Sequence, residues 1–312
     1  MTATKFAHGQ SNPTFLIESA SGKYVLRRKP PGKLLKSAHA VDREYRVMTA
    51  LAGTDVPVPR TYLLCEDEEV IGGVFFLMEF VDGRVLWDPS LPELDKTQRG
   101  AIFDQMNRVL AAVHSIDVEA AGLSDYGKPG NYFERQVSRW TGQYRASETK
   151  TIAEMDRVIN WLQENTPADD GRVALVHGDF RLDNMIFHRS EPRVLALVDW
   201  ELSTLGHPFA DLAYQCMQWR VDGGGIIPGL GDVDRTALGI PSEEEYVRMY
   251  CRRMGIDSIP DWNFYLVFSF FRLAAILQGV RKRALDGIAS NERAMKLGEL
   301  VRPLAAMASK LL

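Results

Sequence analysis

Cysteine is scarce and scattered in this chain of 312 residues: Cys65, Cys216 and Cys251 form no C-x-x-C pair. That excludes a zinc ribbon, a dithiol redox centre and a disulfide framework, and a reducing compartment fits best. His8, His39, His114, His188 and His207 show no metal-ligand spacing either. Positive charge is not in excess, since 37 Lys plus Arg stand against 41 Asp plus Glu for a net −4. That balance argues against a nucleic-acid surface or a polybasic membrane patch. Long apolar runs are lacking too. The greasiest stretch, Phe264 to Leu277, is interrupted by Arg272 and falls short of the ~20 apolar residues of a membrane span. The first ten residues carry no apolar signal core. A cytoplasmic protein is expected, with no membrane or nucleic-acid partner. There is no internal repeat or low-complexity tract, and oligomeric state leaves no mark in the sequence.

What is present is ordinary folded-protein material, 46% hydrophobic and 25% charged. Above roughly 250–300 residues a single core usually stops growing, so two lobes are expected. Residues 1–81 read as a small β-rich lobe. Phe15-Leu16-Ile17 and Tyr24-Val25-Leu26 flank the turn Ser19-Ala20-Ser21-Gly22 as a hairpin, and Arg60 to Cys65 and Val74 to Phe80 read as strands. One helix, Ser37 to Ala52, aligns Val41, Tyr45, Met48 and Ala52 and is ended by Pro57 and Pro59. Residues 82–312 turn mainly helical, with amphipathic runs at Ala101 to Ser115 and Thr151 to Asn165. They also carry a short β-like pair, Asn184 to Phe187 and Val194 to Val198. The fold class is α+β.

The chemistry is concentrated in His177-Gly178-Asp179-Phe180-Arg181-Leu182-Asp183-Asn184, between an apolar run and a hairpin that ends in Val198-Asp199. Asp179 and Asn184 are five apart, the spacing of a kinase catalytic loop. There a carboxylate receives the acceptor hydroxyl hydrogen and an amide oxygen binds Mg²⁺. Asp199 reads as the second metal ligand, because hard oxygens suit Mg²⁺ and phosphate charge must be neutralised. The plainer alternative makes all three turn and capping residues. His177 reads as a loop-ordering group, Asp183 equally as a turn residue, and Asp211 as a helix N-cap.

Three segments together resemble the aminoglycoside phosphotransferase family of small-molecule kinases: the loop just described, Val198-Asp199-Trp200-Glu201, and Gly206-His207-Pro208-Phe209-Ala210-Asp211-Leu212-Ala213. Tyr24 to Gly32 and Arg43-Glu44-Tyr45-Arg46-Val47 are closer to kinase-like domains fused to acyl-CoA dehydrogenases. The resemblance spans nearly the whole chain. It implies a protein-kinase-like bilobal fold with ATP and Mg²⁺ between the lobes, and Asp211 bracing the catalytic loop.

On that frame Gly9-Gln10-Ser11-Asn12 falls where a phosphate-covering loop belongs, with one glycine only. Ser11 and Asn12 read as phosphate contacts or as an ordinary turn. Arg27 takes the place of the strand lysine and Glu44 that of its helix partner. An exposed arginine and a solvated glutamate are the alternative, and arginine is not lysine's equivalent. Met78-Glu79-Phe80-Val81 resembles the hinge, with the Glu79 carbonyl and Val81 N–H as adenine contacts. Asp199-Trp200-Glu201 replaces Asp-Phe-Gly and no Ala-Pro-Glu follows, which argues against a protein kinase.

The expected partner is a small hydroxylated acceptor. Residues 212–312 hold 13 basic against 11 acidic side chains, unlike a surface for polycationic amines. With the apolar residues around them, Arg272, Gln278 and Arg281 read as contacts for an acceptor with an apolar body and an anionic group. A hydroxyacyl compound fits. The alternative is a core helix with solvated arginines. A non-catalytic nucleotide-binding module and an aminoglycoside kinase proper are the competing functions.

Overall fold

The computed structural model describes residues 1–6, 12–30, 40–287 and 292–312. Ser11 lies outside the described residues, as do positions 37–39 of the expected first helix. The N-terminal part is an antiparallel sheet of five strands in the order β1-β2-β3-β5-β4. These are β1 (Thr2–Lys5), β2 (Thr14–Ser19), β3 (Gly22–Arg28), β4 (Thr61–Cys65) and β5 (Phe75–Glu79), with helix α1 (Val41–Leu51) between β3 and β4. The expected hairpin pairs Ser19 with Gly22 across a two-residue turn. β1 was not anticipated. All four of its residues are exposed, so no alternation of polarity marks it.

The buried stripe of α1 is Val41, Glu44, Val47, Met48 and Leu51, rotated from the expected one. Tyr45 is half-buried and Ala52 exposed. A glutamate sits on the inner face because it has a buried partner on β3, described below.

The C-terminal part begins with the short strand β6 (Arg84–Val85) and α2 (Lys96–His114). α2 starts five residues ahead of the apolar pattern, because Asp95 and Gln98 form a reciprocal capping box. Then come α3 (Tyr132–Ser147), α4 (Ala153–Glu164), β7 (Ala174–Val176), β8 (Met185–Phe187), β9 (Val194–Leu197) and β10 (Thr204–Gly206). β7 pairs with β10, and β6-β8-β9 form a second small sheet. The remaining helices are α5 (Phe209–Cys216), α6 (Arg235–Leu238), α7 (Glu243–Met254), α8 (Trp262–Leu285), α9 (Glu292–Glu299) and α10 (Val301–Ser309).

α8 is longer than the apolar run suggested, and by length and composition alone it could cross a membrane. It is instead the central helix of this part, packed on α3, α4, α5, α9 and α10, with 78% of its most apolar window buried. Phe264 and Phe268 meet Phe133 of α3 edge-to-face at 5.3 Å. Burying each such ring stabilises by roughly 1.5–3 kcal/mol. Truncating Phe268 to alanine would cost about 3–5 kcal/mol through the cavity it leaves.

Candidate active site

The segment between β7 and β8 is held by buried groups on three sides. Asp211, in the first turn of α5 and 1% exposed, accepts hydrogen bonds from the N–H groups of His177 (2.6 Å) and Gly178 (2.9 Å). Burial opposes its charge, but the bond to His114 and nearby His177 hold its carboxyl below the usual range. His114 is fixed in turn by the Tyr250 hydroxyl, 2.7 Å from Nδ1. The role expected of Asp211 as a mere cap is therefore incomplete, since it caps no N–H of its own helix and clamps the loop instead. His177 Nε2 donates to the Val198 carbonyl at 3.0 Å, while its Nδ1 accepts the Asp179 N–H at 3.2 Å. Those two bonds require the neutral ring protonated on Nε2, so His177 orders the loop. Gly178 has φ +82°, and a Cβ there would lie 2.5 Å from the Leu202 carbonyl oxygen.

Asp179 follows that turn, half-buried. The Asn184 amide nitrogen donates to its carbonyl at 2.8 Å and to its carboxylate at 3.1 Å. This orients Asn184 so that its oxygen is left uncommitted among the described residues. β8 and β9 pair Met185 with Leu197, and the Val198 N–H donates to the Asn184 carbonyl. Asp199 thus emerges beside Asn184, in the left-handed region at φ +68°. Asp183 forms a two-pronged ion pair with Arg181, which accounts for it without a ligand role.

A second cluster faces this loop. Arg27 on β3, 11% exposed at its side chain, lies 2.9 Å from the Glu44 carboxylate, bonds Asp199 and lies 3.6 Å from Glu201. Asn12 donates to Glu44 at 3.0 Å and to Glu201 at 3.3 Å. The strand arginine and helix glutamate are thus a buried pair, not the solvated residues of the alternative. Burial, together with Asp199 and Glu201, pushes the Glu44 carboxyl up to about 8 against the pull of Arg27. The same carboxylates hold the Arg27 guanidinium charged despite its burial. Among the described residues one guanidinium faces the carboxyl groups of Glu44, Asp199 and Glu201, which leaves the cluster short of positive charge. Carboxylate oxygens of Glu44, Asp199 and Glu201 lie within 4.8 Å of one another. Hard oxygen donors in a negative setting, with Asn184 Oδ1 and Asp199 Oδ2 unbonded among the described residues, fit Mg²⁺.

Glu79 ends β5, opposite Tyr24. Its side chain accepts the Arg60 N–H at 3.2 Å. Two residues on, the Val81 N–H has no hydrogen-bond partner among the described residues, as a hinge donor requires.

On the acceptor side the structure divides the three residues picked on α8. Arg272, 6% exposed, donates to the Gly178 carbonyl at 2.6 Å and lies between the rings of Trp140 and Tyr214. Gln278 and Arg281 are not brought to Asp179. Gln278 is 2% exposed, its amide taken by the Ser147 carbonyl and Thr149 hydroxyl. Arg281 packs on Gly298. Six and nine residues further along, they lie about 9 and 13 Å beyond Arg272.

Four side chains near the loop escaped the sequence reading: Glu201, Arg181, Tyr214 and Trp140. Asp179 and Asp183 raise the Arg181 guanidinium against its burial. Burial, then Asp179, raises the Tyr214 hydroxyl. The one available signal was proximity in sequence, Arg181 standing two residues after Asp179 and Glu201 two after Asp199.

An antiparallel sheet with one inner helix, a mainly helical second part and a loop of this geometry define a protein-kinase-like phosphotransferase. Residues 2–253 match the Phosphotransferase enzyme family, and the chain belongs to it. A crystal structure from Ralstonia eutropha JMP134, classed with the aminoglycoside phosphotransferases, is 53% identical. It superposes with a TM-score of 0.91, covering 99% of this chain and 92% of that one. Acyl-CoA dehydrogenase family member 10 of Mus musculus is 53% identical over 309 residues, 99% of this chain but 29% of that protein. The chain therefore spans less than a third of that relative. A ternary complex of aminoglycoside phosphotransferase APH(4)-Ia with AMP-PNP and hygromycin B shares the fold, at a TM-score of 0.66, 15% identity and coverage of 99% and 94% of the two chains. The kinase-like fold expected from the sequence is the fold observed.

Proposed function

We propose that this protein is an ATP- and Mg²⁺-dependent kinase that phosphorylates a hydroxyl of a small molecule, a hydroxyacyl compound being the acceptor that fits best. The observation that carries the reading is the convergence of Asp179, Asn184 and Asp199 opposite the buried Arg27–Glu44 pair. Residues 1–81 act as the nucleotide lobe and 82–312 as the catalytic and acceptor lobe. Adenine is bound by the Glu79 carbonyl and the Val81 N–H, and the phosphates by Arg27; Asn12, read from the sequence as a phosphate contact, instead spends its amide N–H bonds on Glu44 and Glu201. ATP as donor is supported by the AMP-PNP bound in the APH(4)-Ia complex.

Asp179 accepts the hydrogen of the acceptor hydroxyl and aims its oxygen at the terminal phosphate. The Asn184 bond to that carboxylate sets its orientation. Asn184 Oδ1 and Asp199 hold Mg²⁺, which when bound supplies charge neutralisation on the phosphate oxygens. Arg27, tied to Glu44, presents two further donors to the same charge. Positioning and charge are most of what phosphoryl transfer needs.

An anionic acceptor is favoured because two guanidinium groups, Arg181 and Arg272, lie close to Asp179. Trp140 and Tyr214 add apolar area. The deciding experiment compares ATP-dependent kcat/KM for hydroxyacyl compounds and for kanamycin-like amines. Preference for the amine would defeat the charge argument and make the protein an aminoglycoside kinase. Nucleotide binding with no turnover across a broad acceptor panel would make it a non-catalytic module.

A further inference from the structure

Behind the catalytic loop lies a cavity of about 670 Å³, within the size range of small-ligand sites. Gly206 at the end of β10 pairs with Ala174 at the start of β7. His207, which follows Gly206, is in the cavity wall with Phe133 of α3 and Tyr265 of α8. Asp179 lies beyond the other end of β7, a strand about 10 Å long. A molecule held against His207 is therefore about a strand's length from Asp179.

The polar groups of the wall have one sign. Glu134, Asp169, Asp170 and Asp261 line the cavity, and no Lys or Arg does among the described residues. Two of these carboxylates are committed. Asp169 accepts the N–H groups of Asn131 and Gly171, and Asp170 is paired with Arg172 at 2.6 Å and His207 at 3.3 Å. The carboxylates of Glu134 and Asp261 make no hydrogen bond or ion pair among the described residues. Asp261 precedes α8 in the left-handed region and caps no N–H there.

A second, independent observation is the Tyr265 hydroxyl. Tyr265 is 4% exposed, and its ring packs on Phe133, His207 and Phe209, yet its hydroxyl has no hydrogen-bond partner among the described residues. The unpartnered hydroxyls of Tyr144 and Tyr246 are sealed in the core, whereas that of Tyr265 is not. Its opening is the cavity it lines, near Asp170 and Asp261. The hydroxyl is thus the part of an otherwise buried side chain that is open to the cavity, a donor and acceptor available to a ligand's polar atom.

We propose that this cavity is a second ligand site, distinct from the phosphoryl-transfer cleft, for a small organic ammonium. The ammonium lies between Glu134 and Asp261 and donates to the Tyr265 oxygen. Two uncommitted carboxylates and no lining Lys or Arg among the described residues favour a cation over an anion or a neutral molecule. His207 leads through Pro208 into α5, whose Asp211 clamps the catalytic loop, so occupancy touches the segment that holds Asp179 in place.

The test is calorimetric titration of the full chain with phenethylammonium, without nucleotide or acceptor. Binding is then read even if the kinase reading fails. Saturable binding is expected, weakened about tenfold by the double variant Glu134→Gln/Asp261→Asn, since two rim charges are worth about 1 kcal/mol or slightly more together. Tyr265→Phe should weaken it about threefold. The neutral isostere 2-phenylethanol should bind at least about tenfold more weakly, and Asp179→Asn should leave affinity within about twofold. No saturation up to about 10 mM overturns the proposal. So does an affinity that the double variant leaves unchanged, or displacement of the amine by ATP, which would locate it in the cleft.

Discussion

The catalytic loop and the Arg27 cluster hold their charged groups by opposite routes. The loop draws Asp179 and Asn184 from eight consecutive residues and fixes them with backbone hydrogen bonds, a neutral histidine and the buried brace of Asp211. The Arg27 cluster gathers Asn12, Arg27, Glu44, Asp199 and Glu201 across 189 positions, and charge rather than backbone holds it together. Damage to the first should therefore appear in chemistry at constant charge. Damage to the second should appear in nucleotide binding, stability and salt sensitivity together.

The sharpest way to break this comparison is Asp179→Asn. The substitution keeps the shape and removes the hydrogen acceptor, so kcat should fall by about 10³, within the range of a positioned general base. ATP affinity should stay within about threefold, because the residue faces the acceptor. Titrating nucleotide into the variant checks this, and a parallel loss of affinity would merge the two regions into one.

Arg27→Ala comes next. It removes the cation that Glu44, Asp199 and Glu201 share among the described residues, and breaking a buried pair costs about 3–5 kcal/mol, less here because Asp199 and Glu201 are partly exposed. Nucleotide affinity should fall about tenfold or more, while Arg27→Lys, one donor group in place of a fork, should retain part of it. Glu44→Gln should reproduce the loss in part. Affinity and melting temperature measured across salt concentrations would show whether charge is the cause. An alanine variant matching the wild type in both would leave Arg27 without a functional role.

Gly178→Ala is smaller in reach but more local. A Cβ at 2.5 Å from the Leu202 carbonyl oxygen on a backbone at φ +82° should cost about 2–4 kcal/mol of stability, from the steric clash and the left-handed strain. Denaturant unfolding measures it directly. A cost below about 0.5 kcal/mol, the scatter of surface substitutions, would mean that the loop backbone is less constrained than its hydrogen bonds imply.

The same contrast explains what the sequence could reveal. A loop whose functional groups are five apart and followed by a hairpin is a local pattern, and the positions of Asp179, Asn184 and Asp199 were readable from it. The Arg27–Glu44 pair was readable only through the kinase pattern, for the apolar stripe of α1 alone pointed to Tyr45 and left Glu44 at its flank. Glu201 was not readable, because its meaning arises only when a turn after β9 meets β3. β1 escaped for a simpler reason. A fully exposed edge strand of polar residues leaves no periodic trace.

α8 offers the finest test, because one sequence pattern there covers three environments. Arg272, Gln278 and Arg281 share an apolar helix and read alike as contacts, yet Arg272 alone touches the catalytic loop. Its planar guanidinium lies between Trp140 and Tyr214, a geometry that an ammonium cannot reproduce. Arg272→Lys is therefore expected to lower acceptor kcat/KM about tenfold, the loss of one desolvated cation–ring contact. Gln278→Leu strands the Ser147 carbonyl and should lower stability by about 1–3 kcal/mol, leaving acceptor KM unchanged. Arg281→Ala is expected to do least, with kcat and acceptor KM within about twofold of wild type, since what is lost is a long 3.4 Å approach to the Gly298 carbonyl and stem packing on Gly298, both away from the catalytic loop. Steady-state kinetics on the three variants, with melting temperatures alongside, ranks them. A tenfold rise in acceptor KM for Arg281→Ala at unchanged kcat would mean that the acceptor extends along α8 after all, far beyond the rings that flank Arg272.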